Sequence, residues 1–224
     1  MLSVVIPTLN AARELPATLR ALAEGRRLGL EVIVADGGSA DGTAALAARE
    51  GARVIDAPRG RGAQLRAGAA AASRPWLLIL HADTRPAPGW SEVVAAFAAE
   101  PMNADRAAAF RFALDDPAPA ARRLEAVVKW RCRVLALPYG DQGLLLSRAF
   151  YDALGGIRPL PLMEDVDLVR RIGRARLKLL DMPAVTSAAR YRGAGYLRRS
   201  VRNLLCLGLY FLGLPPRYVA RLYG

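Results

Sequence analysis

Short apolar runs alternate with stretches of helical periodicity through the first hundred residues of this chain. Residues 2–6 form a β-branched run, expected to stop at Pro7, that reads as a buried strand. Asn10 stands where it would cap a helix over residues 12–23. Residues 31–35 read as a second strand, and the Gly-rich turn behind them leads into a helix over 43–50. A short third strand at 53–55 is followed by Gly60-Arg61-Gly62, which opens an Ala-rich helix to about residue 72. A fourth strand at 76–80 ends at His81-Ala82-Asp83. Strands that alternate with helices in this way predict βαβ units and a parallel sheet. After about residue 100 the alternation weakens. A strand at 107–114, a helix at 119–137, a short strand at 144–147 running into a helix at 148–154, and a helical pattern at 168–172 remain legible. With no linker and no internal repeat, the expectation is one α/β domain over residues 1–195, with a mostly parallel central sheet flanked by helices. A C-terminal helical segment over 196–224 follows it.

That segment differs in character. Residues 204–214 are strongly apolar, yet eleven residues are too few to span a bilayer as a helix. Arg198, Arg199 and Arg202 precede the run, Arg217 and Arg221 follow it, and five aromatics are interleaved: Tyr196, Tyr210, Phe211, Tyr218 and Tyr223. Two readings stand side by side. The segment lies on an anionic membrane as an interfacial element, or it packs as a helix pair on the domain or on the mate of a homodimer, and the composition fits both equally.

Composition narrows the partners. The 224 residues are 53% hydrophobic and 23% charged, enough for a full core and against disorder. A formal charge of +12 and a pI of about 10.7 point to an anionic partner. The charge alone fits nucleic acid, an acidic membrane surface or a phosphorylated substrate; with the motifs below, no nucleic-acid partner is expected. Nearly all the positive charge is Arg, with Lys only at 129 and 178, and Ala is abundant, so the total also reflects compositional bias. Cys132 and Cys206 are too few and too far apart for a disulfide framework or a metal knuckle, and read as buried thiols in a reducing compartment. The first residues read as a strand rather than a leader. The expected location is cytoplasmic, peripheral at the inner membrane face on the interfacial reading.

The candidate chemistry lies in three acidic clusters. Asp36-Gly37-Gly38-Ser39-Ala40-Asp41-Gly42-Thr43 and His81-Ala82-Asp83 each follow a predicted strand, and Met163-Glu164-Asp165-Val166-Asp167 precedes a helix. Carboxylates at successive parallel-strand ends converge on one rim, where open α/β sheets bind ligands. Taken alone, residues 36–43 are a tight turn with Asp41 as a helix cap. The Gly60-Arg61-Gly62 loop offers backbone N–H groups and arginines to an anion but is not a dinucleotide fingerprint. There is no Gly-Lys-Ser/Thr loop and no Gly-x-Ser-x-Gly elbow, which disfavours P-loop NTPases and serine hydrolases. His81 is the sole histidine and shares a strand-end face with Asp83.

In order, Val4-Val5-Ile6-Pro7-Thr8-Leu9-Asn10, the Asp36–Thr43 motif, Gly60-Arg61-Gly62-Ala63-Gln64, His81-Ala82-Asp83 and Glu164-Asp165 resemble the family 2 glycosyltransferases of GT-A fold. The resemblance covers roughly residues 2–180 and implies inverting transfer of a sugar from a nucleotide diphospho-sugar, usually a UDP-sugar, to a hydroxyl acceptor. It implies a nucleotide-sugar site drawn from Pro7, Thr8, Asn10, Glu14, Asp36, Gly37, Gly62, Gln64 and Asp83. Asp83, with His81 beside it, would hold Mg2+ or Mn2+, and Asp165 would be the general base with Glu164 next to it. Two departures stand out: His81-Ala82-Asp83 replaces the family's Asp-x-Asp, and the usual Gln-x-x-Arg-Trp segment is missing, with Arg198 and Arg199 as substitutes on the phosphate side. Gly140-Asp141-Gln142-Gly143 resembles an acceptor-side loop, which assigns Asp141 and Gln142 there and leaves room for a lipid-linked acceptor. The competing class is a non-catalytic nucleotide-binding protein that keeps the fold. A nucleotidyltransferase is disfavoured because its first loop is normally Gly-rich and basic, unlike Pro7-Thr8-Leu9-Asn10-Ala11.

Overall fold

The computed structural model describes residues 1–223. Among the described residues eight strands form a single sheet: β1 (Leu2–Thr8), β2 (Glu31–Asp36), β3 (Arg53–Asp56), β4 (Trp76–Ile79), β5 (Thr84–Pro86), β6 (Ala107–Leu114), β7 (Leu144–Ser147) and β8 (Leu177–Thr186). Their spatial order is β3-β2-β1-β4-β7-β6-β8-β5. β1, β2, β3 and β4 pair in parallel, as do β6 and β8. β7 runs antiparallel to both β4 and β6, and β5 antiparallel to β8. Six strands therefore point the same way. The C-terminal ends of β1, β2, β4 and β8, and the loop that enters β7, all meet on one rim.

The helices are α1 (Leu15–Leu22), α2 (Thr43–Arg49), α3 (Arg61–Ala71), α4 (Trp90–Ala99), α5 (Pro119–Leu135), α6 (Arg148–Ala153), α7 (Glu164–Ile172), α8 (Ala189–Ala194), α9 (Tyr196–Phe211) and α10 (Pro216–Tyr223). They cover both faces of the sheet because the central strands are apolar on both sides, as buried parallel strands are. Val4, Ile6, Leu78 and Leu80 face a core closed by Leu15, Leu19 and Leu22 of α1 and Trp90, Val94 and Phe97 of α4. Val5, Leu77, Ile79 and Leu146 face the opposite core, closed by Leu65 and Ala69 of α3 and Val166 and Val169 of α7. Cys206, Leu207 and Val219 of the C-terminal helices belong to this second core. Both cysteines are buried free thiols.

The structure departs from the pattern reading in several places. Pro7 does not stop β1, which continues to Thr8. Pro7 lacks only the donor on the side facing β4, where pairing with β1 has already ended at Val5 and Ile79. Asn10 is not a helix cap: it sits at φ 53°, and α1 begins at Leu15. β8 was not legible because Lys178, Asp181 and Pro183 break its apolar run, and a bulge between Ala109 and Arg111 absorbs the mismatch with β6. α4 was also unread, although it carries the fully buried Trp90.

Trp90 donates from Nε1 to the carbonyl of Ala21 at 3.0 Å, and its ring lies against Gly25. A β-carbon at residue 25 would come 2.7 Å from two ring atoms. Because the indole is pinned by its hydrogen bond, it has no free direction of retreat. Gly25→Ala is expected to destabilise the fold by about 1–3 kcal/mol through overpacking. Urea unfolding checks this: the midpoint should fall with the slope unchanged.

Candidate active site

The rim is organised by hydrogen bonds between neighbouring strand ends. Asp36, buried at the end of β2, accepts from Thr8 Oγ1 (2.9 Å) and Ser39 Oγ (2.6 Å) on one carboxylate oxygen, and from the N–H groups of Gly38 (3.1 Å) and Ser39 (2.8 Å) on the other. Burial alone would raise its pKa, but these donors outweigh that and hold it below the usual carboxylate range. All four acceptor positions are filled by the chain itself. Asn10 ties the same loop from the other side, accepting from the N–H of Ala40 (2.9 Å) and donating its own N–H to Ser39 Oγ (2.8 Å). The buried Gln64 reaches from α3 to donate to the carbonyls of Thr8 and Ala35, and so spans β1 and β2. Gly37 accommodates that amide: a β-carbon there would lie 2.8 Å from Gln64 Nε2. Gly62 lets α3 pass under residues 158–160, where a β-carbon would meet backbone atoms at 2.7–2.9 Å. Pro7 and Glu14 lie half-buried on either side of this loop.

The three carboxylates at the start of α7 have three different fates. Glu164, fully buried, pairs with Arg61 at the start of α3. Asp167 pairs with Arg158 (3.1 Å) and Arg171 (2.6 Å). Asp165 makes no ion pair among the described residues and lines a cavity of about 290 Å³. Its Oδ2 accepts from the N–H of Gly140 (2.8 Å) and its Oδ1 from that of Val166 (2.8 Å). Burial would push its pKa up, but Arg61 and the two N–H donors win, so it is ionised at neutral pH. Met163, just before this turn, holds the left-handed conformation at φ 65°, which costs a non-glycine residue about 1–2 kcal/mol.

The same cavity takes in His81, Asp83, Arg61, Asp141, Arg190 and Arg199. Burial pushes His81 down to about 4, aided by the charge of Arg61, so the imidazole is neutral. Gly140 is required for the loop to close over this floor: a β-carbon would come 2.5 Å from His81 Nε2 and 3.3 Å from Asp165 Oδ2. Asp141 has an Oδ1 with no hydrogen-bond partner. Burial, with the nearby charges of Asp165 and Asp83, pushes it up to about 6 against the pull of Arg131. Gln142 points away from the cavity. It accepts from Arg131 (3.3 Å) and donates to the carbonyl of Phe110 (2.9 Å), which locks the loop to β6. Of the arginine pair on α9, Arg199 lines the cavity and donates to Tyr223 Oη (3.1 Å), while Arg198 is exposed. Among the described residues no group of three or more His, Cys, Asp or Glu side chains is arranged to hold a metal. His81 and Asp83 are a thin set that fits a hard divalent ion only if phosphate oxygens complete the shell.

The sequence of residues 3–150 matches the model of glycosyl transferase family 2. The chain belongs to glycosyl transferase family 2. It is 43% identical over 82 residues to uncharacterized glycosyltransferases of Mycobacterium tuberculosis and Mycobacterium bovis. That match covers 36% of this chain and only about a third, 36%, of the length of those relatives. Among solved structures, S. aureus TarS 1-349 superposes on 99% of this chain and 69% of its own, at TM-score 0.67 and 14% identity. Glucosyl-3-phosphoglycerate synthase from Mycobacterium tuberculosis, solved with Mn2+, UDP and glucosyl-3-phosphoglycerate, covers 92% of this chain and 78% of its own, at TM-score 0.61 and 20% identity. The mannosyltransferase PcManGT from Pyrobaculum calidifontis, solved with GDP-Man and Mn2+, covers 90% and 59%, at TM-score 0.66 and 21% identity. At these identities the likenesses establish the GT-A fold.

Within this family member, Arg131, Tyr139, Arg190 and Tyr191 also line the cavity, and none was singled out from the sequence. Arg131 lies 3.5 Å from the centre of the Tyr139 ring. Arg190 follows the end of the unread strand β8, so its place at the rim had no local signal.

Asp141 carries a pH signature. Its folded pKa lies above the unfolded value of 3.8, so the fold loses stability as pH rises from about 4 through about 6. Asp141→Asn removes that loss. It is expected to be more stable than the parent by about 1–3 kcal/mol at pH 8, with the difference gone by pH 4. Urea titrations at the two pH values check this, and a pH-independent difference would contradict the assignment.

Proposed function

We propose that this chain transfers a sugar from a nucleotide diphospho-sugar, with UDP the favoured nucleotide, to a hydroxyl acceptor with inversion at the anomeric carbon. The observation that carries the reading is Asp165: the one carboxylate of its cluster that is unpaired, ionised and open to the cavity. Family membership and the UDP-, UDP-GlcNAc- and GDP-Man-bound neighbours support the donor class.

Inversion needs a single displacement. The acceptor oxygen bonds to the anomeric carbon as its proton passes to Asp165, and the bond from that carbon to the diphosphate oxygen breaks, its electron pair leaving with the nucleoside diphosphate. Gly140 and Val166 fix the carboxylate by one N–H on each oxygen, so a lone pair on each remains to take the proton. Asp165 is a weak base while Arg61 is uncompensated by ligand. A diphosphate seated against Arg61 offsets that charge and raises the basicity of Asp165 when substrate is present. Arg190 and Arg199 add positive charge on the same wall and favour the leaving diphosphate. A divalent ion held by Asp83, with His81 beside it, would neutralise charge on the diphosphate. His81 fits this place because it is neutral and so offers a lone pair.

The nucleoside is assigned to the loop of Thr8, Asn10, Asp36 and Gly37. Since Asp36 is saturated by internal donors, either one of these is displaced by the base or ribose, or the loop presents its backbone instead. Arg198 is left outside this scheme.

Asp165→Asn is expected to lower turnover by about 10²–10⁴-fold while leaving UDP affinity within a few-fold of the parent. Release of UDP from a panel of UDP-sugars, scored with calorimetric UDP binding, measures both. Parent-like turnover in the variant would remove Asp165 as the base. UDP binding should also be much tighter in Mn2+ than in EDTA, and Asp83→Asn should abolish that difference. Equal affinity in the two buffers would exclude the metal role.

A further inference from the structure

Several apolar positions of α9 lie on the wrong side for a helix that only packs against its own domain. Leu197, Val201, Leu204 and Leu205 recur at helical spacing and are exposed, Leu197 at 78%, and Leu212, just past the end of the helix, is exposed at 85%. The opposite side, through Cys206 and Leu207, supplies the core. α5 repeats the arrangement: Val127, Trp130, Val134 and Leu135 are exposed while Val128 and Cys132 are buried. The two helices pack together, and their stripes border the same two hollows. One is the cavity of Asp165, whose outer wall includes Val127, Val201 and Leu204. The other is a groove of about 540 Å³ lined by Leu135, Val169, Leu204, Leu207 and Phe211. Leu204 belongs to both, so apolar surface runs without a break from the mouth of the active cavity along α9.

The charge around this surface is predominantly positive. From Met182 to Gly224 the sequence has seven arginines and no Asp or Glu. α5 adds Arg122, Arg123, Lys129, Arg131 and Arg133 against Glu125 alone. Arg170 and Arg174 edge the groove, Arg170 with its guanidinium 5.0 Å from the Phe211 ring centre. Long basic side chains beside an exposed apolar stripe keep their heads in a polar layer while their stems cover hydrocarbon. Trp130 has the amphipathic ring suited to the boundary between the two. Among the described residues no helix is long and apolar enough to cross a membrane, so the contact would lie in the plane of the surface.

We infer that the paired apolar stripes of α5 and α9, with their arginine border, form a docking surface for an anionic lipid bilayer. A second copy of the chain fits less well, since it would bring two surfaces of the same strong positive charge together. On the sugar-transfer reading above, docking turns the mouth of the Asp165 cavity toward the lipid, so the hydroxyl acceptor is a membrane lipid or is carried on one.

The test uses the full chain with vesicles of phosphatidylcholine alone or mixed with phosphatidylglycerol. The chain is expected to float with the mixed vesicles only and to be released by high salt. Trp130 emission should shift to the blue on binding, a change absent in Trp130→Phe. Leu197→Glu with Leu205→Glu should weaken vesicle affinity tenfold or more, and Arg123→Glu with Arg133→Glu at least fivefold for each arginine lost, the equivalent of about 1 kcal/mol. All four positions are exposed and lie outside the cavity, so UDP affinity, measured on the same samples, should stay at the parent value. That measurement reports the nucleotide reading separately from the docking. Absence of binding to the mixed vesicles overturns the inference. So does undiminished binding by the Leu197→Glu, Leu205→Glu chain. A dimer in ultracentrifugation that this variant converts to monomer, without vesicle binding, would assign the face to a second copy and overturn it equally.

Discussion

The pair between Arg61, at the cavity wall, and the fully buried Glu164 is the contact on which the site depends. It joins the first residue of α3 to the first residue of α7, residues 103 positions apart in the chain. Glu164 has no solvent contact, and burial raises its pKa against the opposing charge of Arg61. Removing Arg61 would strand the Glu164 charge in a dry interior, a change that typically costs about 3–5 kcal/mol. The pair therefore holds the start of α7 in place despite the left-handed Met163, and α7 in turn carries Asp165. It also sets the electrostatics of the cavity, because the guanidinium that neutralises Glu164 stabilises the Asp165 carboxylate and suppresses the charge of His81.

The titratable groups of the cavity are thus driven apart rather than shifted together. Asp165 is held ionised by Arg61 and two N–H donors, Asp141 is pushed toward its neutral form by burial and by its acidic neighbours, and His81 is kept uncharged. Environments that separate the protonation states of nearby groups are the usual route by which one site obtains distinct acid, base and ligand roles. Gly140 makes the closeness of these groups sterically possible, and Gln142 anchors the loop that carries Asp141.

The C-terminal helices resolve into two faces rather than one character. Cys206, Leu207 and Val219 are part of the core beneath the sheet, while Leu197, Leu204 and Leu212 stand exposed, Leu204 at the cavity wall. Packing on the domain, one of the two sequence readings of this segment, accounts for its buried side, and the exposed apolar side is what the proposed lipid surface would cover.

The order of strands β1 to β4, the strands at β6 and β7, and the motifs at Asp36, Asp83 and Glu164-Asp165 were legible from the chain, since each rests on local apolar periodicity or on a short motif with its own spacing. The resemblance to family 2 glycosyltransferases was legible for the same reason. Other features were decided by tertiary structure. Periodicity cannot show that Pro7 is tolerated in β1, because that depends on where β4 stops pairing. It cannot find β8, whose polar residues and Pro183 are accommodated only by a bulge against β6. Nor can it sort three neighbouring carboxylates: Glu164, Asp165 and Asp167 look alike in sequence, and only the positions of Arg61, Arg158 and Arg171 leave Asp165 as the one that faces the cavity. The chemistry of a carboxylate is written in its side chain, but its partner, burial and pKa are properties of what the fold brings beside it.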